Sequence, residues 1–383
     1  MADATGRGKV PADVGKPRSW PAKVFELNPP GINWPRAVLV LDVLLVPLVV
    51  FWAIGHEEYL LSAIFGVVFT ALADPGGGYG HRASHTAIFA VIGAGLTALG
   101  FSIGGDAWGW LVLAAFSVTF VAGLAVMFGV HRFVTAYLLN AWFIIALSLA
   151  SSFDQNAHIH SQTWTQALAW TGGSVLWILL SFIVWLIRGR HDMHQPFTEV
   201  PGDTSRRKLT PQIIIFALIR AIAIAITFAL AFGLNLPHGY WMPIAAIVAI
   251  KASLDQTTIA AIQRIAGALI GSAVAVLLLL IPASESGLRL FAVDRGLEVV
   301  AFVLLMHAVA IRYWNYALYY ATITAAALTL TDLLHPSTYA DEGEKVLWTL
   351  CGAGIAVLVM LLAGLLSKRA PRAQQRPAAA QPA

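Results

Sequence analysis

Four arginines recur at matched places along the chain. Arg82 and Arg264 open one corresponding pair of apolar runs, and Arg132 and Arg312 open another. Fixed cations that line a polar vestibule gather carboxylates by field alone, so the four read as a site for small organic anions. Lys251 adds a cation just after the short run that starts at Tyr240 and Trp241. In the run from Trp314 to Thr331, Asn315, Tyr319, Thr322 and Thr329 fall at helical spacing on one stripe. Such a stripe offers amide and hydroxyl donors and ring faces, the combination that an aromatic carboxylate would use. Headgroup snorkelling by the arginines and hydrogen bonding between helices by the stripe are the competing readings.

Few ionisable groups lie inside the apolar runs, and each is a functional hypothesis for that reason. Asp42 and Arg220 sit at similar depth in the first and seventh runs. Pairing across the bundle is the simplest account of them, and a proton-linked carboxylate at Asp42 is the alternative. His307, in the tenth run, is a candidate proton relay. Asp74 and Asp255 follow the two shortest runs and complete the candidate coupling or gating groups. The remaining chemistry is thin. His81 with His85, His158 with His160, and His191 with His194 come without a cysteine partner or a zinc-protease glutamate. The glycines from Gly76 to Gly80 lack the Lys-Ser/Thr ending of a phosphate loop. Neither a metal, a cofactor nor a catalytic residue is expected, and the chain does not read as an enzyme.

These residues need scaffolding, and composition says of what kind. The chain has 383 residues, of which 58% are hydrophobic and only 11% charged, with a mean hydropathy of +0.74. A soluble domain carries roughly 25% charged residues. The fold class is therefore an all-α integral membrane protein, because runs of about 20 apolar residues cross a hydrocarbon core of roughly 30 Å. The lone Cys351 lies in an apolar run and excludes a disulfide scaffold. The basic excess does not point to nucleic acid, because the Lys and Arg residues follow the ends of the runs.

About twelve spans can be placed. A polar tail over 1–36, with no secretory leader, precedes six runs within 37–187. A basic linker over 188–211 leads to six more within 212–366, and a tail follows over 367–383. With the N-terminus inside, all but three of the 24 Lys and Arg (Arg289, Arg295 and Lys345) fall on the cytoplasmic side, as the positive-inside rule requires. Both termini are expected in the cytoplasm, with the protein in the inner membrane. The halves also align at an offset of about 181 residues, Tyr59 on Tyr240 and Asp74 on Asp255. Six spans keep their orientation on duplication, so the expected architecture is two parallel six-helix repeats about an axis along the membrane normal. The second run of each half, Tyr59 to Ala73 and Tyr240 to Ile250, is the shortest, and short or broken segments at matching positions are the best pointer to a transport site.

Around the second break the sequence reads Tyr240-Trp241-Met242-Pro243, then Lys251 to Thr258, then Arg264-Ile265-Ala266-Gly267 with Gly271 four residues on. This resembles the signature stretch of the fusaric acid resistance and aromatic acid exporter family, relatives of the plant aluminium-activated malate transporters. The resemblance is specific over Tyr240 to Ala275 and weaker elsewhere. The first half departs from it, with Leu60 and Ser62 where the pattern has Trp and Pro. It implies export of small aromatic acids, and the short linker implies a homodimer or an accessory efflux subunit where relatives carry a large cytoplasmic domain. Gly267 and Gly271 read as a close-packing face.

The reading is a proton-coupled secondary exporter of organic, aromatic carboxylic acids. A passive organic-anion channel or a scaffold subunit is the alternative. The topology has its own test. In a Cys351→Ser background, Ser337→Cys should react with an impermeant thiol reagent in intact cells and Ser205→Cys should not. The reverse pattern would remove both the topology and the repeat.

Overall fold

A computed structural model describes residues 25, 32, 34–75, 77–155, 162–187, 205–206, 208–250, 258–279, 288–312, 314–332 and 339–369. Twelve α-helices hold most of them: α1 (Trp34–Ile54), α2 (Leu60–Ala73), α3 (Tyr79–Ile103), α4 (Trp108–Leu124), α5 (Val130–Gln155), α6 (Thr163–Ile187), α7 (Pro211–Gly233), α8 (Trp241–Ala249), α9 (Thr258–Leu279), α10 (Leu288–Ile311), α11 (Tyr316–Asp332) and α12 (Tyr339–Arg369). No strand occurs among the described residues. Helices α1, α3, α4, α5, α6, α7 and α12 are long and apolar enough to cross a membrane. Several helices run past their apolar cores, α10 starting at Leu288 ahead of the apolar run from Leu297 and α12 at Tyr339 ahead of the run from Val346, because polar residues can extend a helix beyond the hydrocarbon.

Local sequence accounts for the boundaries. Pro211 opens α7, where its missing amide would have no helical partner, and Pro243 sits harmlessly in the first turn of α8. A 3-10 turn (Ala125–Phe128) ends α4, and Gly129, at φ 92°, lets the chain reverse into α5.

Helix α6 carries α2 and α3, and α12 carries α8 and α9. Helix α3 also packs on α5, and α9 on α11; α4 lies on α5, and α10 on α11. The first six helices meet the last six chiefly along α4 with α7 and α1 with α10, with α5 also touching α8. The two short helices, 14 residues in α2 and 9 in α8, are enclosed by the others, with buried residues around most of their circumference.

Packing in hydrocarbon gains little from the hydrophobic effect, so close approach and hydrogen bonds must hold the helices. A Cβ added to Gly173 on α6 would strike the Ala63 carbonyl of α2. One on Gly352 of α12 would strike the Met242 carbonyl of α8. Gly267 and Gly271 lie equally close to the Ala317 and Ala321 carbonyls of α11, which gives the predicted close-packing face its partner. Between α2 and α6 run Ser62 Oγ to Gln166 Oε1 (2.5 Å) and Thr70 Oγ1 to Ser174 Oγ (2.9 Å). Trp142 of α5 stacks on Trp170 of α6, centroids 4.9 Å apart, and donates to Thr97 Oγ1 of α3 at 2.7 Å.

Gly123 of α4 faces Ala217 of α7, where a Cβ would come within 2.7 Å of the Ala217 Cα. Gly123→Leu should therefore lower the yield of monodisperse protein in detergent, since overpacking against backbone costs roughly 1–3 kcal/mol or more. Gly109→Leu, at a position with open space around it, should not.

Candidate functional site

Contacts at the helix ends sort the bundle into two faces. One carries the 3-10 turn Glu57–Tyr59, Arg295, and the Trp348 indole donating to the Pro237 carbonyl at 2.8 Å. The opposite face carries Arg82, the stacked rings of Tyr79 and Trp185, Arg206 over Phe128, and Trp34 edge-on to His307.

Toward the Arg82 face lies a cavity between α1, α2, α10 and α11. Val40 and Leu44, Val67, Ala71 and Leu72, Trp177, Leu305, Ala308 and Val309 make its walls. Its charged lining residue is Arg312, just past the end of α10, and Tyr319 in the first turn of α11 faces it. The guanidinium carbon stands 5.6 Å from the Tyr319 ring centre, within cation–π range. An apolar slot with one cation and one phenol can take the ring of an aromatic acid along its walls and the carboxylate at its mouth. The interior has about 40 Å³ for water-sized molecules, enough for a few waters and well below the roughly 300 Å³ of a small-ligand pocket. The walls must part to admit such a ligand.

Two residues beyond the lining Leu72, Asp74 ends α2, and its carboxylate meets Arg82 of α3 in a two-point pair. Arg82 Nε donates to Asp74 Oδ1 at 2.8 Å and Nη2 to Oδ2 at 2.5 Å. Both are buried, at 3% and 5% exposure. The geometry matches fork to carboxylate and fixes the turn between α2 and α3, where the chain leaves one helix and Gly78 begins the next.

The proposed four-arginine vestibule is accordingly not assembled as expected. Arg82 is neutralised by Asp74 and points into the α2–α3 corner. Arg132 is exposed beside the Phe128 ring, and Arg312 alone of the described three lines the cavity. Lys251 and Asp255 lie outside the described residues, as does the side chain of Arg264, whose backbone belongs to α9.

The polar stripe of α11 also divides. Asn315 is buried and caps the helix, its Oδ1 accepting from the Leu318 amide at 2.8 Å. Thr322 and Thr329 donate back to the carbonyls of Leu318 (2.7 Å) and Ala325 (2.9 Å), the usual way a helix absorbs its own hydroxyls. Tyr319 alone of the stripe lines the cavity. Tyr240 and Trp241 are buried at the start of α8 and pack with Ala275 and Leu328, which makes them anchors of α8.

Asp42 and Arg220 do not pair. Asp42 is exposed on α1, on the side opposite the cavity-lining Val40 and Leu44. Arg220 is buried on α7 among Phe133, Tyr137 and Phe216, 5.3–5.6 Å from the three ring centres. Matched depth in sequence carries no information about which side of a helix a residue occupies. Tyr137 in turn donates to the Ile247 carbonyl in the last turn of α8 at 3.2 Å, so the guanidinium lies over a ring bonded to the negative end of a helix. His307 bonds through Nδ1 with the Val303 carbonyl one turn away at 2.7 Å and packs on Trp34, beside the cavity wall and not in it.

One cluster was not anticipated. On the Glu57 face, Arg295 of α10 pairs with Glu57 and, at 3.1 Å, with Glu298. The Trp52 indole of α1 donates to Glu298 at 2.6 Å, and the Arg295 guanidinium lies 4.9 Å from the Trp52 ring centre. Partners 246 and 238 positions apart leave no local periodicity to read; the i, i+3 spacing of Arg295 and Glu298 is the one signal available in the sequence.

Residues 222–359 match the family model described as fusaric acid resistance protein-like. The likeness read over Tyr240 to Ala275 thus extends from the middle of α7 into α12. No curated protein and no solved structure matches the chain. The match and the long apolar helices together support a multi-pass membrane protein of the transport and efflux class.

Cutting one side of the buried pair should cost about 3–5 kcal/mol. Asp74→Asn should lower the thermal unfolding midpoint in detergent, and Asp74→Asn with Arg82→Gln should recover much of the loss because no charge is stranded. Additive losses would show that the pair does not couple.

Proposed function

We propose that this protein is a secondary transporter of the inner membrane that exports small organic, aromatic carboxylic acids by proton-coupled alternating access. The observation that carries the reading is the cavity itself: apolar walls, one guanidinium at Arg312, and the Tyr319 ring beside it. A ring buries apolar area along Val67, Ala71 and Leu305 while its carboxylate meets the cation, and neither group alone would select that substrate class. The small interior corresponds to an occluded form, with admission from the Arg82 face, which the positive-inside distribution assigns to the cytoplasm.

Helices 37–187 and 212–366 are the two units of this reading. Their packing supports a parallel repeat: α2 on α6 answers α8 on α12, α3 on α5 answers α9 on α11, and α1 against α10 answers α7 against α4. Gly173 under Ala63 and Gly352 under Met242 are the same contact at an offset of about 179 residues. The axis relating the units runs along the membrane normal, as expected for six-span units of equal orientation. A small organic anion and the lipid bilayer are the partners; a homodimer or an accessory efflux subunit is compatible with the short linker.

Reconstituted protein should move labelled aromatic acids faster when a pH gradient is imposed. At equal abundance, Arg312→Ala should lower that flux about tenfold or more, the value of one charge-assisted contact, and Arg312→Lys should restore part of it because a point charge survives. Arg132→Ala should stay near the unaltered rate. Flux indifferent to Arg312 would remove this site, and flux indifferent to the gradient would indicate a channel.

A further inference from the structure

The two long contacts between the first six helices and the last six differ in kind. Helices α4 and α7 are in contact at both faces, backbone close to backbone where Gly123 meets Ala217 at one and the Trp108 ring packed over Gly233 at the other. Between α1 and α10 lies the cavity, with Trp34 edge-on to His307 toward the Arg82 face. Toward the Glu57 face, the same two helices are joined by the Trp52, Glu57, Arg295 and Glu298 cluster. A tight seam on one side and an openable seam on the other is the geometry of a hinge and a gate.

The cluster's charges do not balance. Glu57 and Glu298 share the one guanidinium of Arg295, so among the described residues it carries one negative charge in excess. Glu298 is 5% exposed, and Trp52 supplies it with a neutral donor only. In the adjoining turn, His56 and Glu58 are engaged with each other at 2.9 Å. Tyr59, in the same turn, is buried toward α6, where its hydroxyl accepts from the Gln162 amide at 3.5 Å. From α1 the group facing Glu298 is Trp52, and the described side chains of α11 are uncharged.

We propose that this cluster is the gate on the Glu57 side of the bundle and that Glu298 binds the coupling proton. One proton on Glu298 removes the negative excess counted among the described residues. It also reduces the Trp52 bond from a charge-assisted to a neutral one, roughly half as strong, and removes one of the two carboxylate charges that Arg295 meets. The α1–α10 seam then loosens at the Glu57 end, above the same α10 stripe (Ala301, Leu305, Ala308) that descends to the cavity. Release of the proton restores two carboxylates to Arg295 and closes the seam. The inference rests on the proton-coupled reading above, and it names the carboxylate that such coupling uses.

The gate can be followed without a substrate. In a Cys351→Ser background, Ala301→Cys lies one turn below Glu298 on a fully buried face. Because the thiolate is the nucleophile, rates are taken relative to an exposed cysteine on the same face at the same pH; on that scale an impermeant maleimide applied from the Glu57 side should label it several-fold faster at external pH 5.5 than at 7.5. Adding Glu298→Gln should make labelling fast at both values, and Glu57→Gln should speed it at pH 7.5. Slow labelling of the Glu298→Gln protein with its pH dependence intact would overturn the proposal. In proteoliposomes, Glu298→Gln should keep exchange of labelled for unlabelled aromatic acid while losing stimulation by the pH gradient. Stimulation that persists in this variant overturns the assignment of Glu298 and leaves the transport reading standing. No gradient-driven flux in the unaltered protein, with the labelling switch present, overturns the transport reading and leaves the gate.

Discussion

A helix of nine residues spans about 14 Å and one of fourteen about 21 Å, against a hydrocarbon thickness of roughly 30 Å. The far end of each of α2 and α8 therefore falls where unpaired amides and carbonyls have no water to meet. The rest of the bundle follows from that constraint. Both short helices are wrapped by longer ones, α6 and α12 approach them through glycines until backbone touches backbone, and their termini are met by specific groups. Asp74 closes α2 and is held by Arg82, while the Tyr137 hydroxyl takes the Ile247 carbonyl in the last turn of α8. The same enclosure puts the interrupted helices, and the space beside α2, at the centre of the molecule.

Charge inside the bundle serves two purposes that sequence does not separate. Arg82 and Arg220 are both buried, one against a carboxylate and the other within a cage of rings. A buried pair of this geometry holds position more than it adds stability, because desolvation offsets much of the Coulomb attraction. Arg312 differs because it borders open space.

The asymmetry between the two seams bears on movement. Packed cores are bistable rather than continuously deformable, so a close α4–α7 contact and a cavity-bearing α1–α10 contact are what the proposed hinge and gate rest on. That asymmetry follows the sequences of the two halves. Gly123 permits close contact with Ala217, whereas α10 presents Leu305 and Ala308 to the cavity and Arg295 with Glu298 to the far end.

Much of the architecture was legible in one dimension because a bilayer imposes length and composition on each span. Helical class, the short second and eighth helices, the close-packing Gly267 and Gly271, and the fusaric acid resistance likeness near Tyr240 all came from local patterns that need no knowledge of neighbours. What the sequence could not supply was azimuth and partnership. Asp42 and Arg220 share a depth but face different surroundings; Arg82 looked like a free cation until Asp74, eight residues earlier, turned back onto it. The threonines of α11 resembled a cavity lining because a helical stripe does not reveal that its hydroxyls are bonded to their own backbone. The Glu57, Arg295 and Glu298 cluster joins residues more than 200 positions apart, and only the packing of α1 against α10 could bring them together. Spacing determines which side of a helix a residue occupies relative to its neighbours on the same helix; which element meets that side is decided when the helices pack.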